Sequence, residues 1–143
     1  MVAVASNPRK NTLVSKVGQR MARSRTGVFL PKDFADLGGY DQVLRALRTL
    51  RNEGKLVRLG YGIYAKAKVS SISKRVMIDN PGGFVAASRI ALNKLNVPWE
   101  PTRAELDYNQ GKSTQIPMNP AVAIRGRFSR QLSFGANKLA YAR

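Results

Sequence analysis

The chain has 143 residues, with 25 lysines and arginines against eight acids and a formal net charge of +17. Hydrophobic residues make up 43% of it, which is enough for the core of one domain or of two small ones. Cysteine and histidine are both absent, and this excludes disulfides, Cys/His zinc sites and imidazole acid–base catalysis. So large a positive charge favours a polyanionic partner, with nucleic acid first and an anionic membrane surface second.

The apolar runs are too short for a transmembrane helix. The segment Val2–Ala5 lacks the basic flank and long apolar core of a signal peptide. We therefore expect no membrane contact and a location in the cytoplasm, within the nucleoid. No cluster of nucleophiles or metal ligands is visible, so we expect no enzyme activity, no cofactor and no metal.

The first 25 residues carry six basic side chains and no acid. Their apolar residues recur at helical spacing and predict a helix from about Thr12 to Arg23, with Asn11 or Thr12 as its cap. The basic face of this helix is either an ordinary solvated face or a weaker DNA contact. The side chains that would make this contact are Lys10, Lys16, Arg20 and Arg23.

The next segment has the spacing of a helix-turn-helix. Val28–Leu30 reads as an edge strand that pairs with a later hairpin, and Pro31 suits the first position of a helix. A short helix is then predicted from Lys32 to Leu37, and Gly38-Gly39 ends it in a tight turn. A short helix, a glycine turn and a longer helix in this order indicate a helix-turn-helix.

The longer helix runs from about Asp41, its expected cap, to Asn52, and Gly54 ends it. Its apolar positions have helical period and are Val43, Ala46, Leu47 and Leu50. The opposite face is polar and basic, which suits contact with base edges and phosphates in the major groove. The predicted DNA-contacting residues of this recognition helix are Tyr40, Gln42, Arg45, Arg48, Thr49 and Asn52.

A β-hairpin is predicted from Lys55 to Lys68, since two short strand-like runs flank Gly60-Tyr61-Gly62. A basic hairpin directly after a basic helix is the pattern of a winged helix-turn-helix, whose wing lies on the DNA backbone. The predicted wing contacts are Arg58, Tyr61, Lys66 and Lys68. The two lysines are two residues apart, so both should point to one side of the strand and form a phosphate rail.

The predicted fold class is α+β, with a winged helix-turn-helix followed by a small mixed α/β part. The expected division is residues 1–70 for DNA binding, 71–82 as a linker and 83–143 as a small C-terminal domain. The linker is polar and glycine-rich, and Val76–Ile78 within it is either a strand or the end of a linking helix.

The C-terminal part is predicted to contain two helices, Phe84 to Leu95 and Thr102 to Tyr108, with an extended Val97–Trp99 between them. An antiparallel β meander follows, and its three strands are Ala121 to Arg125, Arg130 to Phe134 and Lys138 to Tyr141. These strands are expected either to mediate self-association or to contribute a second basic surface. Its residues are Arg125, Arg127 and Arg130.

Two stretches resemble a known family. The first runs from Val28 to Gly38 and on through the recognition helix to Tyr64; the second is Lys112–Pro117 with the trailing Gly126, Arg130, Leu132 and Gly135. Both are similar to AbiEi-type antitoxins of type IV abortive-infection toxin–antitoxin systems. The resemblance implies a winged-helix DNA-binding part joined to a mixed α/β part. It also implies a protein that represses its own operon and counteracts a nucleotidyltransferase-like toxin without needing to bind it.

The sequence thus predicts a double-stranded DNA-binding protein with sequence specificity, a transcriptional autorepressor of the antitoxin type. The alternative is an RNA-binding or architectural protein that recognises only charge and shape. The expected partners are double-stranded DNA and, in opposition rather than in contact, a co-encoded toxin. The oligomeric state stays open, with a homodimer on an inverted repeat as one alternative.

Overall fold

A computed structural model describes residues 12–112, 120–125, 128 and 130–142. These residues form an α+β structure with four α-helices and nine short strands. The helices are α1 (Leu13–Arg23), α2 (Tyr40–Asn52), α3 (Gly83–Lys94) and α4 (Arg103–Asn109), with a 3-10 helix at Pro31–Phe34. The strands are β1 (Val28–Phe29), β2 (Leu56–Gly60), β3 (Ile63–Val69), β4 (Val76–Ile78), β5 (Trp99–Glu100), β6 (Ala121–Ile124), β7 (Ser133–Phe134), β8 (Asn137–Lys138) and β9 (Ala140–Ala142).

Strand β3 is the centre of the first sheet. It pairs antiparallel with β1 on one edge and with β2 on the other, so the strand order is β1-β3-β2. The last three residues of β3 also pair antiparallel with β4. The expected β2–β3 hairpin and the pairing of Val28–Phe29 with it are both confirmed, and the ambiguous Val76–Ile78 is a strand.

Helices α1 and α2 pack together on one face of this sheet. Thr12 caps α1, and its hydroxyl oxygen accepts a hydrogen bond from the Ser15 backbone N–H at 3.1 Å. The helices approach closely at Gly18, where an added β-carbon would lie 3.6 Å from a Leu50 methyl group. This first core is built of Val17, Met21, Phe29, Phe34, Val43, Ala46, Leu47, Leu50 and Leu56. All four apolar positions predicted for α2 are therefore buried.

The short element before α2 is a single 3-10 turn, not the predicted helix from Lys32 to Leu37. An Asp33 carboxylate oxygen accepts from the Leu30 backbone N–H at 2.9 Å, which fixes the entry to this turn. Phe34 is completely buried, as expected, and Leu37 is half-buried against the same core. A 3-10 turn needs fewer residues than an α-helix to bring Phe34 inward.

The second core lies on the other face of the sheet, because alternate side chains of a strand point to opposite sides. Residues 63, 65 and 67 of β3 pack there against α3 and the C-terminal strands. From α3 and beyond come Phe84, Ala87, Ala91, Leu92, Val122, Ile124, Leu132 and Leu139. This core therefore joins residues from both sides of the segment 71–82, and that segment contains β4. That residues 1–70 and 83–143 can fold separately remains a prediction.

The C-terminal strands do not form the predicted antiparallel meander. Strand β6 pairs antiparallel with β5 and parallel with β9, while β7 and β8 form a separate two-stranded hairpin. Leu132 and Leu139, which flank the β7–β8 hairpin, are both buried in the second core and anchor the hairpin there. The chain then returns along β6 in the parallel direction. In the second stretch that resembles the antitoxin family, residues 113–117 and Gly126 lie outside the described residues.

Candidate nucleic-acid interface

Helix α2 presents a cationic face to solvent, opposite its buried apolar face. The predicted contact residues Arg45, Arg48 and Asn52 are exposed on it, and Arg51 is exposed beside them. Tyr40 opens the helix with 61% of its surface exposed. Because none of these arginines forms an ion pair among the described residues, their charges are available to a ligand.

The cap of α2 differs from the expected one. Gly39 is the N-cap, and Asp41, which was expected to cap the helix, lies inside its first turn. Gln42 instead completes this end, since its side-chain oxygen accepts from the Gly39 backbone N–H at 3.4 Å. Gln42 is exposed, and its amide nitrogen donates no hydrogen bond to any other described residue. Asp41 still favours the positive end of the helix dipole.

Thr49 is directed away from the outermost part of the face. Its hydroxyl donates to the Arg45 carbonyl oxygen at 3.1 Å, a bond within the helix itself. The Thr49 side chain lines the groove between α1 and α2. The outward face is thus carried by Arg45, Arg48 and Asn52, with Thr49 at its edge.

Most acids of the chain are already paired with a cation, and the exception among the described residues, Asp41, lies in the first turn of α2 itself. All eight lie within the described residues, and seven of them sit within 4.0 Å of a lysine or arginine nitrogen. The eighth, Asp41, has no ion pair among those residues. Such surface pairs contribute little stability singly, but together they decide where the positive charge is left uncompensated. Helix α2 is one such place.

The turn between β2 and β3, the wing turn, is held in a defined shape. Arg58 Nε donates to the Gly60 carbonyl oxygen at 3.2 Å, and its guanidinium lies 5.8 Å from the centre of the Tyr61 ring. Tyr61 is 74% exposed. Both predicted wing residues are therefore at the surface, with the cation beside the aromatic ring.

The C-terminal part holds this wing turn from behind. Arg130 Nη2 donates to the Tyr61 carbonyl oxygen at 2.5 Å, and the Tyr141 hydroxyl donates to the Arg130 carbonyl oxygen at 2.7 Å. Partial burial raises the pKa of Tyr141 above its usual 10.0, so its hydroxyl keeps its proton at neutral pH. Arg130 thus holds the wing turn in place.

Lys66 and Lys68 do point to one side, as predicted, but an acid already lies between them. Their ammonium nitrogens are 4.0 and 3.7 Å from the carboxylate of Asp79. The two lysines therefore carry a net charge near +1 together with Asp79. They also lie towards the end of β3 that pairs with β4, away from the wing turn.

The predicted contacts on α1 divide into free and occupied side chains. Arg20 binds the Asp36 carboxylate through two hydrogen bonds of 2.6 and 2.8 Å and the Asp33 carbonyl oxygen at 2.9 Å. The hydrogen bond between them raises the pKa of Arg20 and lowers that of Asp36. Lys16 and Arg23 are exposed with no ion pair among the described residues. Lys10 lies outside them.

The structure describes two of the three residues predicted for a second basic surface, Arg125 and Arg130, and both are exposed. Arg125 binds Glu100 at 2.6 Å, and Arg130 is directed to the wing turn. Arg127 lies outside the described residues.

Two cationic features were not predicted. Arg51 lines a shallow cavity together with Arg58, and its spacing of three residues from Arg48 and six from Arg45 could have signalled it. Lys74 and Arg75 lie exposed in the turn between β3 and β4, in the segment taken for a linker. The sequence would have indicated their position only if residues 69–78 had been predicted to form a β-hairpin.

Within the residues described by the structure, no helix has both the length and the apolar character needed to cross a bilayer. In the same residues, acidic side chains nowhere gather in groups of three or more that could hold a metal ion.

Comparison with known proteins places the chain in a family. A family model described as "Family of unknown function (DUF6088)" matches residues 16–143. The match covers nearly the whole chain, which therefore belongs to that family. No curated protein and no solved structure matches the chain.

Proposed function

We propose that this member of the DUF6088 family is a sequence-specific double-stranded DNA-binding protein of the winged helix-turn-helix type, which represses transcription. In this proposal α2 is the recognition helix, which enters the major groove, and the β2–β3 hairpin is the wing, which lies on the backbone. The other element of the motif is the 3-10 turn before α2.

The order of the elements supports this proposal. Helix α1, strand β1, the 3-10 turn, α2 and the β2–β3 hairpin follow one another, and β1 pairs with β3 to close the sheet in the order β1-β3-β2. Both helices and the turn pack on one face of that sheet through the first core. In the part of the chain that the structure describes, no other element covers the outer face of α2, as a major-groove helix requires.

The observation that carries the proposal is the distribution of charge. Seven of eight acids are paired, whereas Arg45, Arg48 and Arg51 on α2 and Arg58 on β2 have no ion pair among the described residues. Uncompensated cations on a convex helix attract a polyanion and steer its approach. Two arginines on the outermost face of α2 suit bidentate contact with guanine.

The experiment is a binding selection on random duplex DNA, followed by titration of variants on the selected and a scrambled duplex. Arg45→Ala should lose about 1–3 kcal/mol on the selected duplex, or roughly 5- to 150-fold in affinity, with little change on the scrambled one. Arg103→Ala is the matched control, because it removes the same charge from an exposed position on α4. It should leave the discrimination ratio unchanged.

Two results would count against the proposal. If the selection returns no preferred sequence, the alternative of an RNA-binding or architectural protein without sequence specificity takes its place. If Arg45→Ala weakens both duplexes equally, α2 contributes charge alone and does not read bases.

The repressor role rests on the resemblance to AbiEi-type antitoxins. A reporter gene under the promoter of this chain's own operon should be silenced by the chain and released by Arg45→Ala. An antitoxin role predicts that the chain also protects cells that express a neighbouring nucleotidyltransferase-like toxin, without co-purifying with it. The mass of the complex on the selected duplex distinguishes a monomer from a homodimer on an inverted repeat.

A further inference from the structure

The β3–β4 hairpin ends in an exposed turn at residues 70–75, at the opposite end of β3 from the wing turn. This segment was predicted to be a linker. Its ends are instead joined by the antiparallel pairs Val69–Val76 and Lys68–Met77. The molecule therefore has two turns on one central strand, and only the wing turn belongs to the proposed DNA contact described above.

Hydrogen bonds give this second turn a defined shape. The Ser70 hydroxyl oxygen accepts from the backbone N–H groups of Ile72 and Ser73, both at 3.2 Å. The Ser70 carbonyl oxygen accepts from Lys74 N at 2.9 Å, and Ser70 N donates to the Arg75 carbonyl oxygen at 2.9 Å. Lys74 has a φ of +61°, in the left-handed region. The side chain at the tip is thus presented on a bonded scaffold.

The tip side chain is aliphatic and almost completely exposed. Ile72 has 93% of its surface exposed, and Val69, Val76 and Met77 around it are exposed as well. Val69 and Val76 form a cross-strand pair on one face of the hairpin, whereas Met77 is on the other face. Single exposed apolar residues are ordinary, but Val69, Val76 and the tip residue Ile72 together form an apolar patch of the kind that marks a binding surface.

The turn itself, residues 70–75, carries charge of one sign. Lys74 and Arg75 follow Ile72 two and three residues later, and the sequence contains no acid between Glu53 and Asp79. A second copy of this chain would bring the same uncompensated cations to the contact, so self-association through this turn is disfavoured. The patch suits a polyanion that also offers an apolar slot.

The position of the turn relates it to the proposed recognition helix. A β-carbon placed on Gly54, just beyond α2, would lie 3.3 Å from Val69 and 3.6 Å from Val76. The base of the hairpin therefore packs at the C-terminal end of α2. Strand β3 has seven residues, which span about 23 Å. The two turns are thus further apart than the roughly 12 Å width of a major groove, which is the separation required for contacts on both sides of a groove that holds α2.

We propose that the turn 70–75 is a second DNA-contacting element, which inserts Ile72 as an apolar wedge into a minor groove while Lys74 and Arg75 bind the flanking phosphates. The inference rests on the proposed DNA-binding function. A wedge of this kind partly unstacks a base step and bends the duplex, and the bend brings more protein surface into contact.

The test uses the full chain and the selected duplex, labelled at both ends for energy transfer. Ile72→Ala should lower the affinity roughly 50-fold, since it removes three carbons from the buried wedge, and should reduce the bend. It should leave the salt dependence unchanged, because no charge is lost. Lys74→Gln with Arg75→Gln should make the slope of log K against log salt shallower by about two. Tyr108→Ala, at an exposed apolar residue of α4, is the matched control and should change neither quantity.

The outcomes separate this inference from the function on which it rests. If the unaltered chain binds no duplex, both fail. If it binds its selected duplex and Ile72→Ala binds and bends that duplex like the unaltered chain, only the wedge is refuted. If Ile72→Ala lowers binding to phosphatidylglycerol vesicles and leaves DNA binding intact, the turn is a membrane contact and the wedge is again refuted. Ile72 is nearly fully exposed, so thermal unfolding should confirm that the variant keeps the fold.

Discussion

Substitution of Gly60 by alanine tests the packing of the C-terminal segment against the wing. A β-carbon on Gly60 would lie 2.5 Å from the Gln131 carbonyl oxygen, about 0.9 Å short of the 3.4 Å at which ordinary contact begins. The neighbouring atom belongs to the backbone and cannot rotate away, so the Gln131 segment must move away from β2. Overpacking of this kind costs about 1–3 kcal/mol, and the loss of glycine flexibility in a strand returns about 0.5–1 kcal/mol. We expect net destabilisation on the order of 0.5–2 kcal/mol.

The assay is thermal unfolding followed by circular dichroism, in which this change should lower the midpoint by roughly 2–7 °C for a chain of this size. Gly18→Ala is the matched control, since its added β-carbon meets Leu50 at an ordinary 3.6 Å inside a helix. It should raise the midpoint, because alanine favours the helix by up to about 1 kcal/mol. If Gly60→Ala unfolds at or above the midpoint of the unaltered chain, the Gln131 segment does not lie against the wing.

Three further outcomes are expected. Affinity for duplex DNA should fall with salt, with a slope of log K against log salt near −4 to −5 if about five phosphates are neutralised; a flat response would reject the electrostatic account. The Arg20–Asp36 pair holds the pKa of Asp36 below its usual 3.8, so its contribution to stability is present at neutral pH and lost as pH falls through the lowered pKa. Denaturant titrations should therefore show the stability gap between the unaltered chain and Asp36→Asn closing below about pH 4, and a gap that is constant with pH would contradict this. Residues 1–75 alone contain the whole first core but expose the sheet face of the second, so they should be helical by circular dichroism yet unfold at a lower temperature than the full chain; an equal midpoint would mean that the two parts fold independently.

The N-terminal elements could be predicted because their signals are local. Helical spacing of four apolar residues, Gly54 at the helix end and two short runs around a glycine turn placed α2 and the β2–β3 hairpin to within one or two residues. Each signal involves residues that are close in the chain.

The C-terminal sheet could not be predicted in the same way. Strands of two to four residues carry little periodicity, and β6 pairs with β9 across 15 intervening residues. The β3–β4 hairpin was missed because serines that close its turn by hydrogen bonding have the same composition as a flexible linker.

The candidate interface was predictable as a helix face, but not in its charge balance. The acids that neutralise Arg20, Arg125 and the lysines of β3 come from positions 11 to 25 residues distant in the chain. Which cations lack an ion pair therefore depends on the tertiary structure. Sequence spacing alone does not distinguish arginines that form ion pairs from arginines that do not.

The most direct test of base reading by α2 is methylation interference on the selected duplex, in which guanine N7 is methylated before the protein is added. An arginine that contacts guanine through N7 and O6 is blocked by that methyl group. The account predicts that methylation of particular guanines in the site prevents binding by the unaltered chain, and that Arg45→Ala becomes insensitive to one of them while Arg103→Ala keeps the full pattern. Binding that is unaffected by N7 methylation, or an interference pattern that Arg45→Ala leaves unchanged, would contradict the claim that this helix reads the major groove through Arg45.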